Sequence, residues 1–241
     1  MEEIITKKAP REKGYQKIEL RDMTIKSYSK NEAYKTLRTN VMFCGSDKKV
    51  IAFTSCHPEE GKSTTVMQLA RALTEVGKRV LVVDADMRRS MLAARYCISG
   101  AQYGLSQFLS GQVEKRDIIC ETQMPGFFVV FAGYYPPNPV ELLDSEAFRS
   151  FIAEAREEFD YVLVDCPPLL KIVDAIVVAK CCDGVLLVIG KWVDSVRTVR
   201  PCKTQIEKSG CPVLGVILNS LNHRKISNKK DYYQKYTANE K

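Results

Sequence analysis

The stretch Val50 to Thr65, VIAFTSCHPEEGKSTT, decides the fold. A short apolar, β-prone run, Val50 to Phe53, enters a polar loop that closes on Gly61-Lys62-Ser63-Thr64, and an amphipathic helix begins at once. Strand, loop and helix in that order are the context a phosphate-binding loop requires. Backbone N–H groups at a helix N-terminus lack partners and sit at the positive end of the dipole, so a polyphosphate satisfies them. Lys62 adds a point charge, and the Ser63 hydroxyl suits Mg²⁺. Against the full pattern GxxxxGK[ST], the first glycine falls on Cys56, and two carboxylates, Glu59 and Glu60, stand where phosphates come close.

Downstream, Thr65 to Val76 carries Val66, Leu69, Leu73 and Val76 at helical spacing, with Gly77 as a C-cap. Val80 to Val83 then forms a wholly apolar strand ending in Asp84-Ala85-Asp86, and Tyr161 to Val164 forms another ending in Asp165. Phe127 to Phe131, Gly184 to Ile189 and Val213 to Leu218 read as further strands, the last followed by Asn219. Helices are predicted over Ser145 to Glu158, Asp174 to Lys180 and, despite Pro201, Ser195 to Lys208. Met87 to Gln123 reads as irregular apart from a short helix at Leu105 to Leu109. Unbroken apolar strands alternating with helices imply an α/β domain: an open, doubly wound, mostly parallel sheet with helices on both faces.

Upstream, Asn31 to Phe43 reads as a helix capped by Asn31, with Glu32, Lys35 and Arg38 on one face, a pattern that by itself describes a solvated surface. The chain divides into an N-terminal arm with little structure of its own (residues 1–26), a nucleotide-binding domain (27–222) and a basic tail (223–241). A length of 241 residues suffices for one substantial core. The nine cysteines have no CxxC spacing and read as reduced thiols. No apolar run approaches the roughly 18 residues of a membrane span, so membrane contact is expected only through a partner or surface charge, and the location cytoplasmic. The net charge of +7 is concentrated in the tail, which lacks the length and density of a nucleic-acid arm.

In a parallel sheet the strand ends carrying Gly61-Lys62-Ser63, Asp84/Asp86 and Asp165 share one edge, which makes a nucleoside triphosphate site with Mg²⁺. Period-2 alternation puts Asp84 and Asp86 on one side if the strand continues, one for metal and one for an acceptor hydroxyl. A phosphotransferase and a water-activating ATPase both suit that pair.

The set EAYKTLRTN, TSCHPEEGKSTT, VLVVDADMRRS, GYYPPNPVELL and YVLVDCPP, in this order, resembles the cytoplasmic kinase domain of the bacterial tyrosine kinases, P-loop autokinases that regulate capsule and exopolysaccharide synthesis. The resemblance implies ATP and Mg²⁺ as cofactors and covers the chain from about Ser27 onward. It implies a nucleotide loop of Pro58, Glu60, Gly61, Lys62, Ser63 and Thr64, with Asn219 at the adenine. Lys62, Asp84 and Asp86 become the catalytic set, and Ser63, Asp84 and Asp165 the metal set. Glu32, Lys35 and Arg38 match the family's ExxRxxR motif, through which subunits dock in a homo-oligomeric ring. Tyr232, Tyr233 and Tyr236 become acceptors presented to a neighbour's active site. The resemblance also implies a transmembrane activator of polysaccharide export that recruits the chain to the inner face of the plasma membrane. Phosphates on the tail are expected to reverse its sign and repel acidic pockets.

Three departures from the family's pattern stand out, one of them the shortness of the tail's tyrosine cluster. The family's loop has glycine where Glu59 stands, so a turn with a Cβ is expected to be strained. Lys35 replaces an arginine and loses its planar fork. His57 stands where MinD/ParA-like ATPases, the rival reading, carry a second lysine; a nucleotide-binding scaffold without transfer activity is the other rival.

Overall fold

A computed structural model describes residues 14–25, 27–99, 101–169, 173–190 and 196–219. In chain order these form β1 (Gln16–Leu20), α1 (Tyr28–Met42), β2 (Val50–Ser55), α2 (Lys62–Thr74), β3 (Val80–Asp84), α3 (Leu92–Tyr96), β4 (Cys97–Ser99), α4 (Leu105–Leu109) and α5 (Lys115–Ile118). There follow β5 (Cys120–Thr122), β6 (Phe127–Val130), α6 (Pro139–Leu143), α7 (Glu146–Glu158), β7 (Tyr161–Asp165), α8 (Asp174–Ala179), β8 (Gly184–Ile189), α9 (Val196–Lys208) and β9 (Val213–Leu218). The strands make one sheet in the order β4-β1-β5-β6-β3-β7-β2-β8-β9. From β6 to β9 every pairing is parallel, and β5 and β4 pair antiparallel to β6 and β1.

Why the central strands are apolar throughout follows from the two cores. In β2, Val50 and Ala52 join one cluster with Phe148, Phe151 and Ile152 of α7, while Ile51 and Phe53 join the other with Val66, Leu69 and Leu73 of α2. Successive side chains point to opposite faces, and both faces are covered, so neither can be polar. Strand β7 lies between β2 and β3, although the chain visits it after both. Such a reversal opens a crevice at the carboxyl ends of the strands.

Four sequence expectations change. The N-terminal arm is not structureless over its described part: Gln16–Leu20 pairs parallel with β5, and Ile18, Leu20 and Met23 are buried. Its signal is only two apolar residues alternating with Lys17 and Glu19, too short to separate from chance. Gln123 completes the pairing, its side chain accepting from the Leu20 amide and donating to the Leu20 carbonyl. Helix α1 begins at Tyr28 after Ser27, not at Asn31, whose amide already donates to the Ser27 carbonyl. The stretch Met87 to Gln123 holds five elements of three to five residues each, all too short to display a period. Val76 also lies beyond the end of α2 and is 45% exposed, so it is not part of the buried stripe. The tail at 223–241 lies outside the described residues.

If residues 14–25 are part of the domain, Leu20→Ala removes a buried side chain. It is expected to cost about 2 to 5 kcal/mol in urea unfolding; an unchanged midpoint would return the segment to an arm.

Candidate active site at the carboxyl edge of the sheet

Strand β2 delivers the chain into a loop held from inside by a carboxylate. Glu60 is 3% exposed; it accepts from the His57 amide at 2.9 Å and, across the crevice, from the Gly190 amide at 3.1 Å. A group that reads in sequence as a threat to phosphate is thus a brace for the loop. Asn219, at the end of β9, donates to the Glu60 carbonyl at 2.9 Å, and its own amide donates to the Ile189 carbonyl. Gly61 adopts φ +82°, and a Cβ there would lie 1.9 Å from the Asn219 side-chain nitrogen. No other residue type fits between them. Glu59 has φ +63° in the left-handed region, so the strain expected at this position is present. Cys56, in place of the missing glycine, is fully buried.

Helix α2 starts at Lys62, so its unpaired amides and positive dipole end face the crevice. The Lys62 ammonium lies 2.5 Å from Asp165 Oδ1 and 3.4 Å from Ser63 Oγ, with Lys62 and Asp165 only 8% and 1% exposed. Burial lowers the lysine's pKa, but the Asp165 charge and hydrogen bond, helped by Asp86, outweigh it and the net shift is upward. Asp84 and Asp165 are register partners on adjacent strands. Burial, then the neighbouring Asp165 charge, pushes the Asp84 carboxyl up to about 8, against the opposing effects of Ser90, which donates to it, and Lys62. Two carboxylates beside one cation cannot both keep a charge cheaply.

Asp86 does not share Asp84's setting, because β3 ends at Asp84 and alternation no longer applies. Its Oδ1 instead accepts from the amides of Arg88 and Arg89 at 3.3 and 3.0 Å, folding the loop back on itself. Asp86 lines a cavity of about 440 Å³ whose floor is the phosphate loop, Pro58 to Thr64, and whose rim carries Arg88, Arg89 and Arg95. Asp84 lies buried beneath. A larger cavity, about 700 Å³, lies beside Tyr15, Arg79 and Phe128 and shares none of these groups.

The structure therefore brings together Pro58, Glu60, Gly61, Lys62, Ser63, Thr64, Asp84, Asp86 and Asp165, with Asn219 behind the loop. Glu32, Lys35 and Arg38 lie elsewhere, on α1. Lys35 pairs with Glu32 at 2.8 Å, and Arg38 donates to the Ala72 carbonyl of α2 at 3.0 Å. Tyr232, Tyr233 and Tyr236 lie outside the described residues. Sequence reading missed Arg88, Arg89, Arg95, Ser90 and Asp174. The run Met87-Arg88-Arg89 after the acidic pair was an available sign; a single Asp opening a short helix was not.

Against known proteins, a family model described as the AAA domain matches residues 48–207. Tyrosine-protein kinase CpsD of Streptococcus agalactiae serotype III is 39% identical over 207 residues, covering 86% of this chain and 89% of that protein. The chain belongs to the bacterial tyrosine-protein kinase family. The kinase domain of Escherichia coli tyrosine kinase ETK superposes with a TM-score of 0.76 at 31% identity, covering 79% of this chain and 75% of that one. The septum site-determining protein MinD of Pyrococcus horikoshii, complexed with Mg-ADP, shares the fold: TM-score 0.61, 24% identity, 70% of this chain and 69% of that one. The doubly wound P-loop architecture is thus common to both groups. Among the described residues no helix is long and apolar enough to cross a membrane.

Replacing Glu59 by Gly should relieve an αL penalty of about 1 to 2 kcal/mol, offset by about 0.5 to 1 kcal/mol of backbone entropy. The expected net gain of at most about 1.5 kcal/mol is read from urea midpoints, with tighter ATP binding by calorimetry as one carboxylate leaves the loop. Asp84 gives a second expectation, for the chain without metal or nucleotide. Its folded pKa is raised, so its contribution to stability is complete below the unfolded value near about 4 and is lost as pH rises toward about 8. Urea midpoints should fall across that window in the wild type and fall less in Asp84→Asn.

Proposed function

We propose that the chain is an ATP- and Mg²⁺-dependent protein-tyrosine autokinase that phosphorylates tail tyrosines between subunits. The observation that carries this is the buried Lys62–Asp165 pair at the floor of an arginine-rimmed cavity, at the start of α2.

The residues fit magnesium and a nucleoside triphosphate. Among the described residues no three His, Cys, Asp or Glu side chains form a metal cage by themselves. That agrees with Mg²⁺, which takes one or two carboxylates and completes its shell with substrate phosphates and water. Ser63 would hold it together with Asp84 and Asp165, the N–H groups and Lys62 of the loop would hold the phosphates, and Asn219 the adenine. When bound there, Mg²⁺ would supply positive charge to the phosphate oxygens. Lys62 exchanges one anion, Asp165, for another on the nucleotide. Asp86 has given Oδ1 to two backbone amides, so Oδ2 is the atom that takes the acceptor hydroxyl's proton. The protein's contribution is positioning and fixed charge, with little covalent chemistry of its own.

Tyr232, Tyr233 and Tyr236 are the acceptors, in a polar, basic segment. Glu32, Lys35 and Arg38 form the contact through which copies associate as a ring. Lys35 and Glu32 neutralise each other within one helix, so a docking neighbour must compete with that pair. A transmembrane activator of capsular or exopolysaccharide export recruits the chain to the inner membrane face and switches it on; nucleic acid has no part.

Pure chain incubated with labelled ATP and Mg²⁺, with and without an activator's cytoplasmic segment, should yield phosphotyrosine on the tail. Lys62→Met should reduce labelling at least about 100-fold, because it removes a charge aimed at the transferred group. Release of free phosphate without phosphotyrosine would identify a MinD/ParA-like ATPase, and neither product a scaffold.

A further inference from the structure

Arg88 differs from the other cations of the cavity because its direction is imposed from behind. Asp174, the first residue of α8, is 0% exposed, and both its oxygens accept from Arg88: Oδ2 from Nε at 2.7 Å and Oδ1 from Nη2 at 3.1 Å. The fork raises the guanidinium's pKa, led by its hydrogen bond to Asp174, so the charge is permanent. A guanidinium has five N–H donors, of which the fork uses two. The remaining three belong to a side chain that is 37% exposed and lines the nucleotide cavity.

The backbone beneath Arg88 is fixed as well. Asp86 binds the Arg88 and Arg89 amides, Ser90 donates to Asp84, and the Tyr135 hydroxyl donates to the Ser90 carbonyl at 2.9 Å. Among the described residues no comparable fork holds Arg89 or Arg95. Neutralising a buried carboxylate would need only one positive charge, which a lysine supplies; a two-point fork that leaves donors over is specific to arginine.

We propose that Asp174 is a positioning residue that aims the free N–H groups of Arg88 at the terminal phosphate of a bound nucleoside triphosphate. Charge developing on that group during transfer then meets a cation already in place, with no reorganisation left to make at that moment. The inference rests on the nucleotide-site reading above and deepens it.

The test is calorimetric. Wild type, Asp174→Asn, Arg88→Ala, Arg88→Lys and the double variant Arg88→Ala/Asp174→Asn are titrated with MgADP and with MgADP plus fluoroaluminate, which stands in for the phosphoryl group in flight. Asp174→Asn and Arg88→Ala should each keep MgADP affinity within about threefold and lose about ten- to a hundredfold of the extra affinity that fluoroaluminate confers. Arg88→Lys should recover only part of it. The double variant should match Arg88→Ala, because Asp174 acts only through Arg88. If Asp174→Asn lowers the thermal midpoint yet keeps the fluoroaluminate gain, or if the two losses add, the assignment falls and the pair is a structural anchor. Phosphotyrosine labelling of the wild type is run beside it. Its absence would remove the tyrosine-kinase reading while the affinity ratio still decides the role of Arg88, and a wild type that binds no MgADP overturns both.

Discussion

The site depends on one imbalance of charge. Lys62, Asp165 and Asp84 meet in a space almost closed to water, and they bring two carboxyl groups to one ammonium. Lys62 settles on Asp165, and Asp84 is left with a carboxyl that ionises only with difficulty. What would relieve it is a further positive charge at the same place, which is what a divalent cation brings. The sheet order serves the same three residues: β7 lies beside β3, which aligns Asp165 with Asp84, and beside β2, whose loop leads to the lysine.

Much of this was legible from residues alone, for a physical reason. A strand buried on both faces has no polar position, so β2, β3, β6, β7 and β8 announce themselves as apolar runs, and the carboxylates that end β3 and β7 stand out against them. Strand β1 carries only alternate apolar residues over five positions, and the elements between Met87 and Gln123 are shorter than any period they could show. Their places are set by tertiary contacts such as the Gln123 side chain that completes β1.

Within the site, loop and strand-end residues were readable because phosphate binding demands fixed types at fixed spacing. The direction of a side chain was not. Glu60 reads as a charge facing the phosphates and is instead buried between two amides; Asp86 reads as Asp84's partner and instead folds its own loop. Asp174 is separated from Arg88 by 86 positions, and nothing local marks the pair. Family likeness supplied the roles, and the structure supplied what each group is already doing.

Asn219 carries a mechanical consequence. It ends β9, donates through its side chain to the Glu60 carbonyl and through its amide to the Ile189 carbonyl, and the basic, tyrosine-bearing segment follows it in sequence. Tension applied along the chain beyond position 219 therefore arrives, within a single hydrogen bond, at the backbone of the phosphate loop. Position 219, from which the tyrosine-bearing segment continues in sequence, is thus anchored to the loop backbone at Glu60.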